Sequence, residues 1–319
     1  MKLLLLLFLT VSIYANSLLT EYRNNGFDSI EKKMDLELTK KEYWSEFLKD
    51  KKTTFGYLES YSEVLTCDKE RSTLNLYTKD KNSTYKFEQN YSAFTGKEKG
   101  DKTKEGDLKT PIGIYTLTEK ISNPDSFYGP LAFVTSYPNI YDRYRGKNGS
   151  GIWIRGLPTE QERDEFTKGC IAINNQNIEY LDKKIDIKKT LLIINSAPVH
   201  KDVPKDVVTS ILSQLYLWRY SWIYNDIDKY LGFYSDDFVR TDGMKFNDFK
   251  TYKKRVFNKL EKKTIIFNDI NLVPYPNTEN IYQLTFKEIY SSESFQFTGE
   301  KTLMLKLGEK NQIKIFTEK

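Results

Sequence analysis

The period of apolar positions changes three times along the chain. Lys2 precedes an unbroken apolar run, Leu3 to Leu9, and Ile13-Tyr14-Ala15 offers a small residue where a signal peptidase cuts. That run is too short to span a bilayer with ease, so residues 1–15 are expected to be a cleaved signal peptide. Residues 16–54 are polar with scattered anchors (Leu36, Leu38, Trp44, Phe47), which predicts a helical arm packed on the domain next to it in sequence. From Phe55 the pattern alternates. Leu74–Tyr77 and Tyr85–Phe87 read as half-buried strands around a polar turn at 79–83. Pro111 and Gly113 mark a turn into a strand at 114–117, and 152–154 and 191–194 are short apolar runs suited to buried strands. One short helix is predicted over 177–183. Residues 55–197 thus form a β-rich domain.

Pro198 and Pro204 punctuate a linker at 198–205. After it, Val208, Ile211, Leu212, Leu215, Trp218 and Trp222 recur at helical spacing and predict one long amphipathic helix. A short helix or turn holds Tyr230, Phe233 and Tyr234, and a third helix covers 246–262. Four strands come after it, at 264–273, 281–290, 302–307 and 312–317, the last two joined by a hairpin loop at 308–311. Helices first and an antiparallel sheet afterwards make 206–319 a separate α+β domain, so the chain as a whole is α+β. Trp218, Trp222, Tyr234 and Phe238 are expected to fill its core.

Composition narrows the functions available. The 319 residues carry 49 basic and 44 acidic side chains, interleaved, for a net charge of +5. No basic tract resembles a nucleic-acid arm, so no nucleic acid is expected as partner. The chain has two cysteines, Cys67 and Cys170, and one histidine, His200. That is too few for a disulfide framework or for a histidine-ligated metal, and neither a metal nor another cofactor is expected.

A cysteine acts as a nucleophile when its thiolate is available and a proton carrier lies within reach. Cys170 follows Gly169, and a glycine there lets backbone N–H groups turn toward a developing oxyanion. A cysteine beside an isoleucine is, equally, an ordinary buried thiol. Cys67 is read as such, a small core residue near a strand end.

The surroundings of Cys170 decide between these. Thr110-Pro-Ile-Gly, Gly151-Ile-Trp-Ile-Arg-Gly-Leu-Pro158 and Thr167-Lys-Gly-Cys-Ile-Ala172 resemble the L,D-transpeptidase (YkuD-type) catalytic domain. Asp125–Phe133 and Ser136–Asn139 bring the resemblance closer to the cell-shape-determining L,D-carboxypeptidases of curved and helical Gram-negative bacteria. Residues 230–240, 242–244 and 252–257 are similar to the nuclear transport factor 2-like cone that those proteins carry. The resemblance implies a β-sandwich-like catalytic fold and a thioester acyl-enzyme on Cys170. It implies peptidoglycan stem peptides as substrate, with tetrapeptides trimmed to tripeptides in the periplasm and no membrane anchor after signal cleavage. By analogy, the cone pairs into a homodimer. Tyr128, Gly129, Gly156, Thr167 and Lys168 would line the substrate cleft.

One position departs from the pattern. Where the family has its general-base histidine, fifteen residues before the cysteine, this chain has Arg155. A guanidinium stays protonated at neutral pH and cannot shuttle a proton, although its charge can favour a thiolate. His200, in the linker, is read as a surface residue. The expectation is a carboxypeptidase scaffold with impaired turnover. Cross-linking by an L,D-transpeptidase and non-catalytic peptidoglycan binding stand as alternatives.

Overall fold

Alternating strands from the middle of the chain close on themselves. The computed structural model describes residues 17–160, 165–197 and 202–319; the expected signal peptide and His200 lie outside them. Eight strands, β2 (Glu63–Asp68), β3 (Thr73–Lys79), β4 (Tyr85–Phe94), β5 (Gly113–Ser122), β6 (Leu131–Thr135), β7 (Trp153–Arg155), β8 (Ile171–Ile173) and β9 (Thr190–Asn195), form a closed barrel. Its neighbour order is β2-β3-β4-β8-β7-β6-β5-β9. The seam is a parallel pairing of β2 with β9, running from Glu63 opposite Thr190 to Asp68 opposite Asn195. The expected sandwich is therefore a barrel, in which each strand has a neighbour on both sides although β4 meets β8 only through Ala93 and Phe94. Val64, Leu65 and Cys67 of β2 and Leu191–Ile194 of β9 are fully or almost fully buried, as continuous apolar runs in central strands should be. Helix α5 (Asn175–Asp182), capped by Asn174, packs Ile178 and Leu181 into the barrel core.

The last third builds the second layer. Its strands are β10 (Thr264–Pro274), β11 (Ile281–Ser291), β12 (Gln296–Leu307) and β13 (Ile313–Glu318), and the short β1 (Tyr57–Leu58) joins them from the other end of the chain. They form a sheet ordered β1-β10-β11-β12-β13, against which helices α6 (Lys205–Ile223), α7 (Ile227–Gly232) and α8 (Phe246–Phe257) pack. Trp218 of α6 lies between the rings of Tyr230 (5.5 Å) and Phe267 (5.9 Å), and Trp222, Tyr234 and Phe238 join the same core. The third helix stops at Phe257, five residues before the apolar pattern suggested, because Leu260 adopts a left-handed φ of 52° and is exposed. Among the described residues no helix is long and apolar enough to cross a membrane.

The helical arm does not pack on the barrel beside it in sequence. Residues 17–25 (α1), α2 (Phe27–Leu38) and α3 (Lys41–Phe47) lead to α6 instead. The Trp44 ring lies 5.1 Å from that of Tyr216, and the Asp35 carboxylate pairs with the Arg219 guanidinium. Tyr57 and Leu58 then add a short strand to β10.

Barrel and cone meet at a short helix, α4 (Ile140–Tyr144). Asn139 and Asp142 form a capping box at its start. The Asn139 side-chain amide donates to the Tyr275 hydroxyl of the cone (3.0 Å), and the Tyr141 and Tyr275 rings meet edge to face. Asp142 is fully buried and accepts from Tyr115 (2.9 Å), Lys147 (3.0 Å) and Arg145 (3.1 Å). Lys147 also reaches Asp101, whose carboxylate accepts from the Ile112 amide. This ionic cluster fixes the 101–112 loop on which the cysteine segment leans.

Candidate active site

Two short parallel strands bring the chemistry together. β7 and β8 pair with Ile154 opposite Ile171 and Arg155 opposite Ala172. Cys170, the residue before β8, therefore lies level with Trp153 and two strand positions from Arg155. The cysteine segment is held from three directions. Thr167 Oγ1 donates to the Cys170 carbonyl (2.6 Å) and accepts from the Gly169 amide (3.0 Å). Thr110 Oγ1 donates to the Gly169 carbonyl (2.9 Å) and accepts from the Gly96 amide (2.8 Å). The Lys69 ammonium binds the Thr110 carbonyl (2.5 Å).

Gly169 is required here for reach rather than for an oxyanion. Its φ is 135°, and a Cβ would stand 2.9 Å from the Lys109 carbonyl oxygen and 3.0 Å from Ile152. Its N–H is already committed to Thr167.

Arg155 is 4% exposed. Nη1 donates to the carbonyls of Phe127 (3.1 Å) and Gly156 (2.8 Å), while the buried Nε has no partner. The guanidinium lies 4.9 Å from the Phe127 ring centre and 5.5 Å from that of Tyr128, within cation–π range. Among the described residues no carboxylate pairs with it. Tyr128 also packs on Trp153 at 4.8 Å. Gly129 and Gly156 touch back to back: a Cβ on Gly129 would come within 2.7 Å of the Gly156 Cα. Asn175 Oδ1 closes this corner by accepting from the Leu157 amide (2.6 Å).

Of the residues picked out by sequence, Cys170, Arg155, Gly169, Thr167, Tyr128, Gly129 and Gly156 lie together around the β7–β8 pair. Lys168 does not join them; it is exposed on the rim. Three residues at the cleft escaped the sequence reading. Phe127 and Asn175 carry no local signal, and Trp153 looked like core because its neighbours Ile152 and Ile154 are.

The electrostatics oppose reactivity. Burial pushes the Cys170 thiol above its usual range; the Trp153 N–H and the hydrogen-bonded Arg155 guanidinium pull it back only in part. The arginine does favour the thiolate, as its charge suggested, but desolvation wins. At neutral pH the sulfur is a thiol, donating to the Gly151 carbonyl at 3.5 Å. Iodoacetamide labelling of Cys170 is thus expected to rise only above pH 9, and Arg155→Gln, which removes a lowering contribution, should move the midpoint higher still. A midpoint at or below that of a free thiol would contradict this balance.

A cavity of about 770 Å³ lies elsewhere, in the cone, where Trp222, Tyr252, Lys253, Glu288, Lys301 and Glu318 line it. Lys253 is buried against Trp222, and burial pulls its ammonium down to about 8. It holds no thiol. Size alone does not locate the chemistry, and the cysteine cleft remains the candidate active site.

Comparison with known proteins matches both halves. The L,D-transpeptidase catalytic domain family (YkuD) covers residues 62–199, and the Cds6 C-terminal NTF2-like domain covers 210–319. The helical cell shape determining protein Pgp2 from Campylobacter jejuni is 37% identical, covering 88% of this chain and 99% of that one with a TM-score of 0.80. Bd1075 from Bdellovibrio bacteriovorus is 27% identical over 84% of this chain and 96% of its own, with a TM-score of 0.66. The candidate L,D-transpeptidase YafK of Escherichia coli (strain K12) is 34% identical over 113 residues, 35% of this chain and 42% of YafK. The chain thus spans less than half the length of that relative.

Proposed function

As a member of the YkuD L,D-transpeptidase family with a C-terminal NTF2-like domain, the chain acts, we propose, on peptidoglycan stem peptides as an L,D-carboxypeptidase whose turnover is throttled at position 155. The observation that carries this reading is Cys170 held beside Arg155 on paired strands of the barrel. The Cys170 sulfur would attack the carbonyl of the L,D bond between diaminopimelate and the terminal D-alanine. A thioester forms, the C–N bond breaks, and D-alanine leaves once its amine is protonated; water then releases the tripeptide. Both halves of that cycle need a proton carrier, and a guanidinium is not one.

Tyr128, Gly129, Gly156 and Thr167 would shape the peptide site, with Lys168 at its mouth. The protein would work in the periplasm after signal cleavage, contribute to cell shape, and pair through its cone.

Incubating the protein with disaccharide tetrapeptide and following products by mass spectrometry tests this. Slow appearance of tripeptide and D-alanine, lost in Cys170→Ala, is expected. Cross-linked dimers would instead favour a transpeptidase. A second reading, a stem-peptide-binding protein with no turnover, is favoured by the same arginine.

A further inference from the structure

Among the described residues, the Arg155 guanidinium has no anionic partner. Burying a guanidinium is costly unless its charge is compensated. Arg155 is 4% exposed, its Nη1 bonds go to two neutral carbonyls, and its Nε is unsatisfied. Aromatic faces at 4.9 and 5.5 Å offset part of the cost but supply no hydrogen-bond acceptor. The neighbouring sulfur takes a hydrogen bond from the guanidinium but brings it no negative charge, since it is a thiol that donates to the Gly151 carbonyl. Buried, positively charged and short of one acceptor at Nε, Arg155 acts directly on the Cys170 thiol from the neighbouring strand.

The geometry points to a site for a free carboxylate: we infer that the Cys170–Arg155 cleft binds peptide stems already trimmed, through the terminal carboxylate that replaces the scissile carbonyl. This rests on the stem-peptide reading above and deepens it. An uncleaved stem presents a neutral amide at that point. A trimmed one presents two anionic oxygens, of which one can take the guanidinium and the other the Trp153 N–H that faces the sulfur. A histidine at 155 would serve the reaction; an arginine serves the product. The same substitution that removes the proton carrier thus turns a cleft for a transition state into one for a carboxylate ion. Retention of product would itself slow turnover, a second brake beside the missing base.

The test compares two ligands on the full-length protein by calorimetry: disaccharide tripeptide with a free C-terminal carboxylate, and the same compound as its C-terminal amide. The acid should bind about 10- to 100-fold more tightly, the range of a charge-assisted hydrogen bond at a buried site. Arg155→Gln should remove the preference. Arg155→Lys, which keeps the charge but not the fork, should keep part of it and serves if the glutamine variant does not fold. Cys170→Ala should leave the preference intact. Equal affinity of acid and amide for the unchanged protein overturns the proposal while leaving the stem-peptide reading in place. So does a preference that persists in Arg155→Gln. A preference that emerges only in Glu162→Gln/Asp164→Asn would assign the guanidinium's counter-anion to this chain and also overturn it. Binding of neither ligand removes both the proposal and the stem-peptide reading.

Discussion

Replacing Arg155 by histidine is expected to raise the rate of tripeptide formation from a tetrapeptide stem by about 100-fold or more, with no comparable gain from Arg155→Lys or Arg155→Gln. The size follows from general acid–base catalysis, typically worth ~10²–10⁴-fold. The position is prepared for it. Arg155 ends β7, pairs with Ala172 of β8, and acts on the sulfur from two strand positions away. An imidazole on the same backbone would replace a charge that only biases the thiol by a group that takes its proton and returns it to the leaving amine. The Phe127 and Gly156 carbonyls, which now hold Nη1, are acceptors that can fix an imidazole N–H and so its tautomer. Adding Cys170→Ala to Arg155→His should abolish the gain. If the histidine variant is no faster than the unchanged chain, the arginine is not what limits it and the carboxypeptidase assignment loses its main support.

The largest loss of stability is expected from Asp142→Ala, about 3 kcal/mol in urea unfolding, the lower end of the cost of breaking a buried ion pair. Asp142 is fully buried and serves four donors: the Tyr115 hydroxyl, the Asn139 amide, Lys147 and Arg145. Without it Lys147 keeps Asp101 at 2.5 Å, which is why the lower figure applies. Tyr115 keeps only a long bond to the Ile112 carbonyl (3.4 Å), and α4 loses half its capping box. Tyr275→Phe removes a single hydrogen bond of the same junction and should cost about 1 kcal/mol. A loss below that for Asp142→Ala would show that the cluster is not a support of the fold.

Sequence made the chemistry legible because the site is mostly local. Gly151–Pro158 and Thr167–Ala172 each lie within one strand and its flank, and together with Asp125–Phe133 they carry the family resemblance that brought Cys170, Arg155, Thr167 and both glycines of the Gly129–Gly156 contact into view. Periodicity likewise gave α6 and the four long strands of the cone. What escaped depends on partners far along the chain. Barrel closure is made by Glu63–Asp68 with Thr190–Asn195, and both strands read the same in a sandwich. Phe127 and Asn175 enter the cleft through a backbone carbonyl and a side-chain oxygen, neither of which leaves a pattern. The docking of the arm on α6 rests on Asp35 and Arg219, two charges that sequence reads as solvated.

That docking dictates a timetable. A ribosome delivers Asp35, Trp44 and Tyr57 long before Arg219, Tyr216 and Leu272 exist, and the Asp35–Arg219 pair alone closes a span of 184 residues. The barrel can complete itself as soon as β9 emerges, whereas the cone must wait for β13, whose Ile315 and Phe316 receive the backbone of Ser235 and Val239. Contacts this distant make for slow assembly and leave apolar surface uncovered meanwhile. The first helices of the nascent chain therefore stay without their partners until α6 and β10 have been made.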